Sequence, residues 1–416
     1  MKKYGAIIME NVTYKSVLKL KNYRRLLFAN VINRLGDAID TLAFSWIVYA
    51  VTGEGTWAAI VFGVNKVSSV VFLPLAGAFV EKKNKKAVMM VMDIIRCILV
   101  AGLVLSMTLG QLSVVILLVF SFLISMAEAF RIPAGTAFIT QMLTEETLDK
   151  GVTLNVMVST LVEIGGAAIG GLLLSFGGAQ TALLADVGSF LLSLLLIGTI
   201  CQKENIETDL REASVVRIFK DGLRYIKTRK VLVTVILLAV LANASMATID
   251  ALQAPIVVEI FRQDVGYLSI LNVALSTGLL LGGGFYPTLR KRISDYKLYI
   301  VSFVSIGLLY AIVALYGFGT QQSIALTVIP VLLYFLYGVT ASFLIAGLGL
   351  QLFENVEQSY MARVSTVYSS IASLATPTVS FLSGIIVGKT GMPILFMAIA
   401  VCILGVTVLF GKIRKI

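Results

Sequence analysis

Asn33-Arg34-Leu35-Gly36-Asp37-Ala38-Ile39-Asp40 has an echo 210 residues later, in Asn243-Ala244-Ser245-Met246-Ala247-Thr248-Ile249-Asp250. Asn, Ile and Asp coincide. The same offset carries Val48 onto Val258, Gln141-Met142-Leu143 onto Gln351-Leu352-Phe353, Ser159 onto Ser369 and Ala167 onto Pro377, with no gap inside these stretches. A shared offset at that many places reads as a duplicated unit. Both copies lie in apolar runs, and two duplicated helical halves around an axis along the membrane normal place a substrate site between them.

A span needs about 20 mostly apolar residues. They fall at 26–50, 57–80, 87–109, 113–140, 152–176, 180–201, 231–258, 267–289, 298–317, 323–350, 361–387 and 392–411. This predicts an all-α membrane protein of twelve transmembrane helices in two pseudo-symmetric six-helix bundles. The expected organisation is a cytoplasmic lead-in (1–25), a first bundle (26–201), a cytoplasmic linker (202–230), a second bundle (231–411) and a cytoplasmic tail (412–416). The lead-in is polar and basic and does not read as a cleavable signal. Phe219 to Ile226 in the linker have amphipathic helical spacing, suited to a membrane surface.

Composition agrees. Only 14% of residues are charged and 58% are hydrophobic, whereas a soluble domain carries roughly 25% charge. With both termini inside, 28 of the 34 Lys and Arg fall in cytoplasmic segments. Arg262 and Lys389 fall outside, and Arg34, Lys66, Arg96 and Arg131 within spans. That is the positive-inside bias, so the net charge of +11 reports orientation in a bacterial inner membrane. The basic residues are scattered over short loops rather than gathered on one face, which argues against nucleic acid as a partner.

Other classes recede. Three distant Cys and no His leave no disulfide framework, metal site or usual general base. No cofactor or enzymatic activity is expected, and Gly388-Lys389-Thr390 lacks the first Gly of an ATP-binding loop. The expected partners are a small-molecule substrate, protons and the lipid bilayer, with the chain working as a monomer.

After the second span comes Gly77-Ala78-Phe79-Val80-Glu81-Lys82-Lys83-Asn84-Lys85-Lys86. It resembles the G-x-x-x-D-[RK]-x-G-[RK]-[RK] loop of the major facilitator superfamily, with Glu for Asp and Asn for Gly. Asn tolerates a left-handed turn, so that exchange is mild. Arg290-Lys291-Arg292 is its basic counterpart in the second half. Gly166-Ala167-Ala168-Ile169-Gly170-Gly171 is similar to the G-P-x-x-G-G of exporters in this superfamily. Gly36-Asp37, Ala43, Trp46, Thr52-Gly53, Asp93 with Arg96, Pro133-Ala134 and Gly222 to Tyr225 resemble the macrolide, multidrug and siderophore exporter group. The resemblance implies a secondary active exporter of a lipophilic or cationic compound, running by proton antiport. A siderophore or other metabolite, or nutrient uptake by the same fold, stay open as alternatives.

Eleven charges lie inside spans, each costing about 2.5–3.5 kcal/mol at a helix centre, so they should face inward or pair. Asp93 with Arg96, and Glu128 with Arg131, stand three residues apart and share a helix face. With Arg34, Gly77, Glu81, Lys82, Lys85 and Lys86 they are candidates for a cytoplasmic gate. Deeper lie Asp37, Asp40, Glu163 and Asp250, the candidate proton carriers, because a dry cavity disfavours the charged carboxylate. Asp37 has Arg34 one turn away, whereas Asp40 has no cation on its own helix at that spacing. Asp40 and Asp250 should face each other across a central cavity, with Asn33, Arg34, Lys66, Asn243 and Gln253 as further lining. Asp186 and Lys66 are expected to pair.

Overall fold

The computed structural model describes residues 13–81, 83–201, 215–319, 325–357 and 360–413. Most of the lead-in, Lys82, residues 202–214 of the linker and the last three residues of the tail lie outside them, as does the side chain of Glu81.

Long apolar runs set the helices, and residues with turn chemistry end them. Helix α1 runs Lys21–Thr52 and stops at Gly53, whose φ of 66° is a left-handed cap. Helix α2 is Gly55–Glu81. Helix α3, Lys85–Thr108, starts at Asn84, whose side chain accepts from the Ala87 N–H at 2.7 Å. Asn84 is extended, with φ −65° and ψ 113°. It therefore serves as an N-cap and not as the left-handed residue expected of it. Helix α4 is Val114–Met142. The run Glu145–Gly198 is broken at Gly178 (φ 72°, ψ 178°) into α5 (145–177) and α6 (179–198). Only a residue without Cβ adopts that conformation freely.

The second half begins with α7, Lys230–Ala251, which continues through Gln253–Pro255 into a single π-helical turn, Ile256–Ile260. Then come α8 (Val265–Arg290), α9 (Asp295–Phe318), α10 (Ala325–Asn355), α11 (Met361–Thr390) and α12 (Met392–Ile413). Short helices at Tyr14–Lys19 and Val215–Lys227 precede α1 and α7. No strand occurs among the described residues.

The packing obeys the repeat. Helix α1 packs on α5 and α7 on α11, α2 on α4 and α8 on α10, α3 on α6 and α9 on α12. Between the halves the main contacts are α2 with α11 and α5 with α8, a pair that also exchanges under the offset. The outward face is apolar: Ile98, Leu237 and Val401 are each more than 60% exposed. Exposed apolar surface on this scale suits a lipid solvent. Among the described residues, nine helices are long and apolar enough to cross a membrane. One of them is the whole of α5 and α6, which supplies two segments. With α1 and the shorter apolar stretch in α12, this agrees with the twelve-helix architecture.

The halves meet at the end remote from the chain termini. There Ser380 Oγ donates to the Ala59 carbonyl at 2.7 Å, and Gly384 and Gly388 lie against Thr56. Tyr49 of α1 also donates to Glu259 of the π turn.

Candidate functional site

Helix α1 is the spine of the site. Arg34, Asp37 and then Asp40 and Thr41, each step three or four residues on, line a cavity of about 310 Å³. Lys66 of α2, Arg96 of α3, Glu128 of α4 and Glu163 of α5 face the same space. Asp250 and Gln253 close it from the other half. Asp40 and Asp250 thus share one cavity, as the repeat predicts. A smaller space of about 130 Å³ adjoins it at Arg34, Asp37 and Glu128 and runs past Asn33, Arg131 and Asn155.

The ion pairs cross between helices rather than along them. Arg96 donates to Asp37 at 2.5 Å, while Arg34 stands 3.9 Å from Asp37. Arg131 Nε donates to Asp93 at 2.6 Å. Asp93, fully buried, also accepts from Ser193 Oγ at 2.8 Å and Asn33 Nδ2 at 3.3 Å. The expected pairs along the helix, Asp93 with Arg96 and Glu128 with Arg131, are therefore replaced. Neighbours on one helix are held about 5–6 Å apart at Cβ, whereas a packed neighbouring helix offers a partner at hydrogen-bond distance. Glu128 remains on the cavity wall, facing Arg96 and Asp40.

Two further expectations need correction. Lys66 does not pair with Asp186. Its ammonium lies 5.0 Å from the Phe62 ring and its charge faces Asp250 across the two halves. Asp186 sits behind α1 beside Arg96. Asn243 donates to the Ala239 carbonyl of its own helix at 2.9 Å and lies off the cavity wall. Gln253 does line the cavity, accepts from Asn272 at 3.1 Å and holds the Asp250 carboxylate. Asn33 belongs to the Asp93 network and the smaller space.

At the opposite end Lys86 Nζ donates to the carbonyls of Gly198 (3.0 Å) and Ile200 (2.8 Å), capping α6 with a cation. Lys85 is buried, and Gly77 has open space where a Cβ would stand. Glu81's side chain and Lys82 lie outside the described residues. Sequence reasoning missed a matching knot in the second half. Arg290 grips Glu354 through two 2.8 Å bonds and Asp295 at 3.0 Å, and Asp295 also accepts from Tyr286 and Gln351. The alignment of Gln141 with Gln351 was the available signal. Also missed were Ser189, Phe190 and Ser193 of α6, which stand three, four and seven residues beyond Asp186 on one face.

The α5 glycines admit close approach. A Cβ on Gly166 would stand 2.7 Å from Ala38 Cβ, and one on Gly170 only 3.2 Å from the Ile39 Cα. Gly171 lies against Ser269 of α8, across the halves, and Ala167 is buried.

The charge is lopsided. At the repeat offset Asp93, Arg96, Arg131 and Asp186 become Phe303, Ile306, Ala341 and Phe396. Of the carboxylates inside spans, Asp40 alone keeps its carboxylate, as Asp250. Around Asp250 the second half presents buried Tyr310, Tyr334 and Tyr337.

The profile of the transmembrane secretion effector family matches residues 13–415. The chain is 24% identical to macrolide efflux protein A of Streptococcus pyogenes over 408 residues, 96% of this chain and 98% of that one. It is 27% identical over 401 residues to the multidrug efflux pump Tap of Mycolicibacterium fortuitum, 92% and 94% of the two chains. Among solved structures, the nucleoside transporter NupG superposes with a TM-score of 0.75 at 15% identity, covering 95% of this chain and 99% of that one. A bacterial homologue of the iron transporter ferroportin in an inward-facing state gives 0.72 at 15% identity, covering 95% and 97%. The chain belongs to the transmembrane secretion effector family of the major facilitator superfamily and is a multi-pass membrane transporter.

Proposed function

We propose that this transporter exports a small lipophilic or cationic compound, of the macrolide or multidrug kind, by proton antiport with alternating access. One observation carries the reading: carboxylates of the two halves, Asp40 and Asp250, line a single cavity that is walled off at the end remote from the termini. Its volume of about 310 Å³ is at the lower end of the range for small-molecule sites. Five carboxylates line it against Arg34, Lys66 and Arg96, a balance that suits a cation. Efflux of a macrolide or of several drugs is what the names of the relatives say of those proteins.

Asp37 is bonded to Arg96, so it is a poor proton carrier in this conformation. Among the described residues Asp40 has no salt-bridge partner, and its Oδ1 lacks a hydrogen-bond partner. We assign the coupling proton to Asp40, with Asp250 and Glu163 next. The two bundles (26–201 and 231–411) rock about the cavity. The Asp93–Arg131 network and Lys86 tie helices within the first bundle and the Arg290 knot ties them within the second, so that each bundle moves as a unit. The positive-inside bias puts both termini and the linker in the cytoplasm, and the working unit is one chain.

The test is accumulation of radiolabelled macrolide in a drug-sensitive bacterium lacking its major efflux pumps. Low accumulation that rises when a protonophore collapses the gradient is expected, and Asp40→Asn should abolish the difference. Accumulation equal to the empty vector would turn the reading toward a siderophore, another metabolite or uptake.

A further inference from the structure

Asp186 takes no part in the cavity wall and is buried behind it. Its side chain is fully buried. Oδ1 accepts from Ser189 Oγ at 3.1 Å, and Oδ2 has no hydrogen-bond partner. The room for it comes from α1: a Cβ on Gly36 would overlap both Asp186 and Ser189. The charged and titratable groups that face it are Asp37 and Asp40 from α1 and Arg96 and Cys97 from α3. Glu128 of α4 acts on the same arginine.

These groups do not balance as ions. Arg96, 1% exposed with its guanidinium 4.3 Å from the Phe190 ring, is the buried cation among them, while the partly exposed Arg34 reaches only Asp37, at 3.9 Å. Its strong bond goes to Asp37, and its Nε and second terminal nitrogen have no partner. Asp40 also has a buried oxygen without a partner. Three ionised carboxylates around a buried arginine that already serves one of them would leave uncompensated buried charge on Asp40 and Asp186. A protonated carboxyl removes the charge and gains a donor. The two idle nitrogens of Arg96 are donors for a carboxylate that later loses its proton.

We propose that Asp186, with Ser189 and the gap at Gly36, forms a second proton-binding site behind α1 that gives its proton to Asp40 on the cavity wall and takes it back from there, while Arg96 stays protonated and pairs with the carboxylate left ionised. In the conformation described, Arg96 holds Asp37 and Asp186 is neutral. When the proton leaves, the anionic Asp186 competes with Asp37 for Arg96, so proton loss changes the partner that α3 holds. The proposal rests on the proton-coupled reading above, but its test does not.

The purified full chain is titrated in lipid while infrared difference spectra follow the carbonyl stretch of protonated carboxylic acids. The difference between wild type and Asp186→Asn should show one such band, present in the wild type and absent from the variant, at neutral pH. Ser189→Ala, which keeps Asp186, should shift the pH midpoint of that band. In reconstituted vesicles, with erythromycin as the probe, Asp186→Asn should keep gradient-independent exchange and lose pH-driven uptake at least tenfold. Identical spectra for wild type and Asp186→Asn at neutral pH would overturn the proposal, as would a pH-driven uptake unchanged by the substitution. If wild-type uptake itself ignores pH, proton antiport fails, and the spectra alone still decide whether Asp186 holds a proton.

Discussion

Replacing Arg131 with Met leaves the Asp93 carboxylate buried with only neutral donors, Ser193 and Asn33. Asp93 is fully buried and the Arg131 side chain is 7% exposed, so solvent cannot take the arginine's place. Breaking such a pair from one side destabilises by about 3–5 kcal/mol. Asp93→Leu strands the guanidinium instead, with a loss of similar size. Replacing both with apolar groups removes both desolvation penalties, and the double variant should return to within about 1 kcal/mol of wild type. The full chain in mild detergent is heated, and the fraction that stays monodisperse is followed by size exclusion. Both single variants should fail at clearly lower temperature, and the double should recover most of the loss. High salt should leave the order unchanged, because a dry pair is hardly screened. A double variant that loses the sum of the two singles would refute the coupling, and three variants as stable as wild type would refute the burial.

With Cys97, Cys201 and Cys402 replaced, Thr56→Cys with Gly388→Cys should form a disulfide on mild oxidation. A Cβ at Gly388 would lie 4.0 Å from that of Thr56, within the disulfide range, and transport should stop until reductant is added. Gly170→Leu should force α5 off the α1 backbone and cut transport at least tenfold while expression, read by immunoblot, stays within about twofold. Lys66→Met should lower transport by leaving Asp250 without its cation, and Lys66→Met with Asp250→Asn should recover substrate exchange measured without a gradient. Lys86→Met should lower the melting temperature by only a few degrees, since the lost bonds to Gly198 and Ile200 carry about 1–2 kcal/mol at a half-exposed site.

The spans were legible because membrane thickness fixes their length, and each expected segment lies within a few residues of a helix. Even the α5–α6 break fell where Gly177-Gly178-Ala179 interrupts the apolar run. The repeat was legible because Asn33 and Asp40 recur at a constant offset, and it correctly put Asp40 and Asp250 on one cavity. Salt-bridge partners were not legible. Spacing of three residues proposes Asp93 with Arg96, but Arg131 lies closer once α4 packs on α3, and no local pattern encodes that distance. Asn243 misled for the same reason: the repeat fixes its register, while the Ala239 carbonyl one turn back, already a helix acceptor, also takes its side-chain amide. The π turn at Ile256–Ile260 left no mark in the hydropathy, since it changes the hydrogen-bond ladder and not the composition.

The uneven division of charge between the two halves has an evolutionary corollary. The ion-binding chemistry is concentrated in the first half, where Arg131 is bonded to Asp93, Arg96 to Asp37 of α1, and Asp186 is buried beside Arg96. The corresponding positions in the second half are Phe303, Ile306, Ala341 and Phe396, which only need to fill space. Substitutions among those buried apolar residues can shift the packing behind the second half's share of the cavity wall, Asp250, Ala251 and Gln253, without removing a charge from the first half. A lineage built this way is free to widen or change its cargo by drift in one half, while purifying selection holds the engine in the other.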